Sequence, residues 1–419
     1  MLKVLGSVPA RGTPVKRSRW TVLLLLTGAH ALSAAAALAV APLAPVLLDA
    51  LDLTRAQIGL LVPAIYLGGV LMSLPAGWIT DRLGVRPTLA AGLLLEAAMI
   101  ALAGEAPRFT VLLACLFGAG VGFSVVNPTT GKAIIERFPM RERGVAMGIK
   151  QTGLTLGGMF AAFTLPAVAV RWGWHAAFAV AAGCAALGAL AGLLSGRGPG
   201  TGVAAPDIEN PPRFAEVGRF LHNRSFVILL VSGFTMALTQ SSVLAYFALY
   251  ARERLGYGVV AAGGLLAAAQ AGGTVSRLAW GAVSDRLFGG RRRPCLIINA
   301  SIGAAACLVF ALGLPLPGVV AAFVTFVFGA GAFGWTGLYL ALAAEVGGAR
   351  YAGLLTGVAV TCAWSGILVG PPLFGFALET FGTYRWPWLA LTCSGAAVAV
   401  VLSRIAPLVN RGRSAGASA

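Results

Sequence analysis

The sequence predicts an all-α polytopic membrane protein: twelve transmembrane helices in two pseudo-symmetric six-helix bundles. Three observations lead there: a composition unsuited to water, a dozen apolar runs of membrane-spanning length, and a short charged signature that occurs twice. Of 419 residues, 58% are hydrophobic and only 11% are charged, with a mean hydropathy of +0.85. A soluble domain carries about a quarter charged residues. The 56 glycines fit helices packed closely in lipid, where small residues let backbones approach.

The apolar runs, each bounded by charges or turn residues, are predicted at 20–48, 56–79, 88–105, 109–133, 144–169, 174–195, 225–250, 259–283, 294–313, 317–344, 351–378 and 384–408. The first follows a basic N-terminus, as in a signal peptide, but it is too long for one and eleven more follow. An even number puts both ends on one side. The stretch 196–224, with Pro199, Pro206, Asp207, Glu209, Pro211 and Pro212, is too polar to span. It is predicted to link a bundle at 20–195 to a second at 225–408, with tails at 1–19 and 409–419.

A formal charge of +17 would suggest nucleic acid in a soluble protein, so its distribution has to be considered before its sign. Lys3, Arg11, Lys16, Arg17 and Arg19 precede the first run, and basic clusters recur in every second loop. With a cytoplasmic N-terminus, about 23 of the 31 Lys and Arg residues fall on the cytoplasmic side and about six in outer loops. The charge therefore reports a multi-pass protein of the plasma (inner) membrane with cytoplasmic termini, and no nucleic-acid partner. Lys150 and Arg277 belong to no loop.

Chemistry requiring metals, disulfides or nucleotides finds no support. The six cysteines lie singly in or beside apolar runs without C-x-x-C spacing, and the three histidines, His30, His175 and His222, are far apart. No G-x-x-x-x-G-K-[ST] occurs. No cofactor and no enzymatic activity are expected.

The repeated signature runs Gly77-Trp-Ile-Thr-Asp81-Arg82-Leu-Gly84-Val-Arg86 after the second run and Gly281-Ala-Val-Ser-Asp285-Arg286-Leu-Phe-Gly289-Gly290-Arg291-Arg292-Arg293 after the eighth. One signature at matching places in two halves indicates duplication, and transporters built this way bind substrate between the repeats near the midplane. On these residues the sequence resembles the major facilitator superfamily, whose loop signature G-x-x-x-D-R-x-G-R-R is matched by Gly77, Asp81, Arg82, Gly84 and Arg86, and again by Gly281, Asp285 and Arg286. The resemblance implies two bundles rocking about a central cavity lined by the first, fourth, seventh and tenth helices. It also assigns the loop residues to conformational switching, with Asp81 as acceptor for neighbouring cations.

Lys150-Gln151-Thr152-Gly153 is similar to facilitators carrying a K-Q-T-G element at the start of the fifth helix. Facilitators that export drugs by proton antiport carry an arginine in the fourth helix and G-P-x-x-G-G in the fifth. Here no arginine precedes Lys132 in the fourth run, and Leu154 takes the proline position.

A cation at the centre of a membrane helix costs roughly 2.5–3.5 kcal/mol, which makes Lys150 and Arg277 functional candidates. Both lie roughly 10–12 Å from the cytoplasmic helix ends. Repeat alignment sets Ser73 opposite Arg277 and Ala359 opposite Lys150, so neither charge belongs to the shared scaffold. Arg277 shares a helical face with Gln270, Gly273, Thr274 and Gly281, and either binds a carboxylate from a cavity wall or pairs with carbonyls between packed helices. Lys150 either faces the cavity or snorkels to the interface. Further cavity candidates are Gln151, Gln240, His30, Asn127, Tyr66, Tyr246, Trp335, Tyr339 and Trp364. Asn127-Pro128 and Gly370-Pro371-Pro372 mark kinks. Glu96 is the one mid-span acid, in a helix the resemblance places at the periphery, with a structural role or a role as counter-ion or proton carrier.

These readings converge on a monomeric secondary transporter of a small organic anion, a carboxylate above all, working as proton symporter or anion exchanger. The alternative is a proton-coupled efflux pump for amphipathic drugs or metabolites.

Overall fold

The computed structural model describes residues 18–195 and 217–404; most of the predicted tail at 1–19, residues 196–216 of the predicted linker at 196–224, the end of the twelfth run at 405–408 and the predicted tail at 409–419 lie outside the described residues. The elements, in order, are α1 (Arg19–Ala37), α2 (Val40–Ala50), α3 (Arg55–Leu83), α4 (Val85–Gly104), α5 (Phe109–Phe123), α6 (Val126–Arg137), α7 (Met140–Leu194), α8 (Val217–Leu221), α9 (Arg224–Glu253), α10 (Val259–Leu287), α11 (Arg292–Leu312), α12 (Gly318–Phe333), α13 (Thr336–Phe381) and α14 (Arg385–Arg404).

Among the described residues, eleven stretches are long and apolar enough to cross a membrane. One of them, Val145–Leu194, has 50 residues and would measure about 75 Å as a single helix, far beyond a hydrocarbon core of about 30 Å. At Gly173 the backbone turns to φ 85°, ψ 162°, a region open essentially to glycine alone, and the stretch becomes two helices. Twelve crossings result, and Gly173 falls in the gap predicted between the fifth and sixth runs. Phe163, Val319 and Phe323 are 70%, 86% and 68% exposed, as befits a surface whose solvent is lipid.

Helix starts are written locally. Thr54 caps α3 in a reciprocal box with Gln57, and the Asn223 side chain accepts from Ser225 and Phe226 N–H to start α9.

The duplication reappears as packing. In the first half a Cβ at Gly68 would collide with the Phe117 carbonyl and one at Gly120 with the Ile65 carbonyl, fixing α3 on α5. In the second, Gly272 meets the Phe326 carbonyl and Gly329 the Ala269 carbonyl, fixing α10 on α12 in the same way. Glycine supplies the closest approach at equivalent crossings.

The signature loops show a second correspondence. Gly84, at φ 86°, turns the chain from α3 into α4, and Gly289 and Gly290, at φ 57° and 74°, follow α10. Arg86 donates to the Leu193 carbonyl at the end of α7, and Arg293 donates to the Leu402 and Ser403 carbonyls at the end of α14, each at 2.5 Å. The last arginine of each signature thus satisfies carbonyls that a helix end leaves unpaired.

Asp81 takes its cation from outside its own loop. Lys132 of α6 reaches it at 2.8 Å, while Arg82 lies over the Trp78 ring, 4.0 Å from its centroid. The second half reverses the polarity, with Arg292 pairing with Glu345 at 2.5 Å. Asp285 and Arg286 make no ion pair among the described residues. Of the two predicted kinks, the first corresponds to the break between α5 and α6. At the second, α13 runs unbroken through Pro371 and Pro372.

Candidate functional site

Three membrane crossings are discontinuous: the first at Leu38–Ala39, the fourth at Ser124–Val125 and the tenth at Gly334–Trp335. A broken helix in a membrane leaves carbonyls that side chains must satisfy, and such breaks are tolerated where they are buried in protein or line a cavity. In the tenth crossing Trp335 Nε1 donates to the Ala332 carbonyl at 3.1 Å, and Ser276 and Asn299 donate to Ala330 at 2.9 and 3.2 Å. Arg277 Nε donates to Phe333 at 2.8 Å.

Beside the breaks of the fourth and tenth crossings a cavity of about 270 Å³ opens between the halves. Its polar wall carries His30, Tyr66, Asn127 and Gln151 from the first half and Gln240, Arg277, Trp335, Thr336 and Tyr339 from the second. Trp364 also lines it, with an apolar wall of Phe123, Leu154, Val360 and Ile367. The lining residues include no acid. Arg277 satisfies both readings of its sequence position, because Nε holds the helix break while the rest of the guanidinium reaches the cavity.

Lys150 neither lines the cavity nor snorkels. It is 3% exposed, and its ammonium donates to Asn127 Oδ1 at 2.5 Å and to Gln151 Oε1 at 3.1 Å. It stands directly behind two residues of the wall. His30 approaches the Lys150 carbonyl through Nδ1 at 3.2 Å; since a carbonyl only accepts, that nitrogen carries the proton. Trp335 also donates to Gln240 Oε1 at 3.0 Å, and the Tyr339 hydroxyl donates to the Ala359 carbonyl at 3.0 Å.

Several candidates lie elsewhere. Gln270 is 3% exposed and packs against Gly158 of α7, and Thr274 donates to Thr155 of α7 at 2.6 Å. The polar face of α10 is therefore a contact between halves, and only Arg277 carries it into the cavity. Tyr246 belongs to the far side of the molecule, where its hydroxyl donates to the Arg55 carbonyl at 2.6 Å. Glu96 is fully buried away from the cavity and accepts from Ser33 at 2.5 Å.

Sequence reasoning missed a polar cluster that joins the N-terminus of α3 to the C-terminal end of α9. Arg55 of α3 pairs with Glu253 of α9 through two bonds of 3.1 Å, and the Tyr384 hydroxyl donates to the same carboxylate at 2.8 Å. Burial, with Glu253 adding to it, raises the Tyr384 hydroxyl's pKa above the usual tyrosine range, so it remains a donor. Arg252 pairs with Asp49 at 2.7 Å, and Glu379 accepts from the Ala56 N–H at 3.0 Å, placing an anion at the N-terminus of α3. Apart from the Tyr384–Glu253 bond, which lies within the second half, each joins one half to the other. The flanking charges were visible as loop residues; their pairing, across 198 positions for Arg55 and Glu253, was not.

The family model described as Major Facilitator Superfamily matches residues 26–371. An uncharacterized MFS-type transporter of Mycobacterium tuberculosis is 28% identical over 402 residues, spanning 93% of this chain and 86% of that protein. A probable L-galactonate transporter of Escherichia coli is 31% identical over 170 residues, spanning 40% of this chain and 37% of its own length. Among solved structures, a bacterial homolog of the human lysosomal transporter Spinster, in an inward-facing and occupied conformation, superposes with a TM-score of 0.74. It is 20% identical and covers 94% of this chain and 98% of that one.

Proposed function

Because the chain belongs to the Major Facilitator Superfamily, we propose that it carries a small organic anion, with a carboxylate as the charged group, across the membrane by alternating access. One observation carries this reading. Arg277 faces a cavity whose lining residues include no acid, and its terminal nitrogens make no hydrogen bond or ion pair among the described residues. An unneutralised guanidinium in a low-dielectric cleft favours an anion, and its planar fork matches a carboxylate bidentately. The partial similarity to a probable L-galactonate transporter supports a hydroxylated acid as the substrate class.

The ion pairs opposite the termini support a conformation closed on that side. The distribution of Lys and Arg supports cytoplasmic termini, which makes the closed side the outer one. Asp81 with Lys132, and Arg86 and Arg293 with the helix ends they cap, would then brace the cytoplasmic ends of each half during rocking. Proton symport and anion exchange both fit this arrangement.

The test is uptake of L-galactonate and of a hexuronate into proteoliposomes containing the purified chain, with and without an inward proton gradient. Saturable uptake of either acid is expected, blocked by Arg277→Ala; no uptake of either overturns the reading. The apolar wall at Phe123, Leu154, Val360 and Ile367 favours a second reading, efflux of amphipathic compounds. It requires drug susceptibility to rise when the gene is deleted.

A further inference from the structure

Lys150 is the buried cation that the anion reading leaves without a task, and the three amides of the cavity wall show what it does. An amide has one end that accepts and one that donates, and an ammonium or an indole N–H can only donate. Lys150 therefore fixes Asn127 and Gln151 with their carbonyl oxygens turned to it, at 2.5 and 3.1 Å. Trp335 fixes Gln240 in the same sense, its Nε1 donating to Oε1 at 3.0 Å. Asn127, Gln151 and Gln240 all line the cavity. None of their NH₂ groups donates to another described residue, and none is buried without a partner.

We propose that Lys150 is a positioning residue rather than a ligand. It and Trp335 turn the amides of Asn127, Gln151 and Gln240 so that three NH₂ groups, together with Arg277, present a wall of donors to a polyoxygenated anion. This deepens the reading of the preceding subsection and rests on it. The site is divided between halves: Asn127 and Gln151 are on α6 and α7, Gln240 and Arg277 on α9 and α10. One carboxylate on Arg277 does not use all these donors, so the ligand class is an acid whose remaining oxygens, as hydroxyl, carbonyl or sulfonate, accept from the amides. Such an anion also bridges the two halves.

Acidic replacements of the amides separate this from a structural role. Asn127→Asp keeps the oxygens Lys150 needs and adds an ion pair, but removes the NH₂ donor. If Asn127 serves only to satisfy Lys150, the variant transports normally. If its NH₂ group binds the anion, KM for L-galactonate or the hexuronate rises at least about tenfold. The thermal unfolding midpoint stays equal or rises. Gln151→Glu follows the same pattern. Lys150→Met makes the same change of net charge and keeps all three cavity NH₂ groups, but it frees the Asn127 and Gln151 amides, so its KM rises by less than that of Asn127→Asp, and an unchanged KM overturns the positioning role.

Equal KM changes in Asn127→Asp and Lys150→Met would reduce the effect to net charge and overturn the proposal. So would unchanged KM in both Asn127→Asp and Gln151→Glu, or a fall in the thermal midpoint of Asn127→Asp. A wild-type chain that takes up neither acid instead overturns the proposed function itself, which these variant outcomes do not touch.

Discussion

At Arg277 one nitrogen holds a carbonyl and two are left for the cavity, so its replacements separate two roles. Arg277→Lys keeps a charge and an N–H donor for the Phe333 carbonyl but loses the planar fork. It should raise the KM for a transported acid by about tenfold or more, as expected when a hydrogen bond to a charged group is lost. Arg277→Ala also leaves the Phe333 carbonyl unpaired, a cost of about 1–3 kcal/mol. Its unfolding midpoint in detergent should therefore fall below that of Arg277→Lys. Equal midpoints would show that the carbonyl finds another donor. Arg277 was legible as a mid-span cation because the cost of burying charge in lipid is a sequence-level fact. The partnership of Lys150 with Asn127 was not legible, because the two are 23 positions apart on helices whose relative rotation no local pattern fixes.

At the scale of the element, the signature glycine is a backbone requirement. Gly84 sits at φ 86°, ψ 170°, with nothing within 4 Å of an added Cβ, so strain alone opposes a side chain there. Gly84→Ala should cost about 1–3 kcal/mol and lower the thermal midpoint. Gly77→Ala, within α3 and equally uncrowded, should leave the midpoint unchanged or raise it slightly, since alanine is favoured over glycine inside a helix by roughly 0.5–1 kcal/mol. A similar fall in both would mean that the loop needs small residues for packing. The break in the fourth crossing was readable from Pro128, which denies the backbone a donor. The unbroken course of α13 through Pro371 and Pro372 was not. Proline marks where carbonyls are freed, but neighbouring helices decide whether the axis breaks.

Across the whole molecule, the Arg55–Glu253 and Arg252–Asp49 pairs join the two halves. Their partners are partly solvated: the side chains of Arg55 and Glu253 are 48% and 23% exposed, and those of Arg252 and Asp49 are 35% and 56%. Each exposed pair contributes about 0–1 kcal/mol, so together they bias a conformational equilibrium rather than lock it. Replacing Glu253 by Gln and Asp49 by Asn should shift that equilibrium by up to about 2 kcal/mol, or roughly thirtyfold. A cysteine introduced at Ala248, fully buried in this conformation, should react faster with a membrane-impermeant maleimide in the double variant. An unchanged rate would show that apolar packing alone closes this contact. Folding the pair of halves was predictable from the repeat, whereas the closure between them depends on residues contributed by distant loops.

The sequence by itself determined the solvent, the number of crossings, the division into halves and the presence of two intramembrane cations. Each follows from local quantities: the apolar length needed to cross lipid, the cost of charge within it, and the backbone demands of glycine and proline. The tertiary structure decided which polar residues meet. It turned Gln270 and Thr274 into a helix contact, moved Tyr246 to the Arg55 carbonyl, gave Asp81 to Lys132, and set Lys150 behind the cavity wall instead of in it. Helix rotation and tilt choose among these outcomes. Both are fixed by close packing at sites such as Gly68 with Phe117 and Gly272 with Phe326, where partners far apart in the chain must fit together.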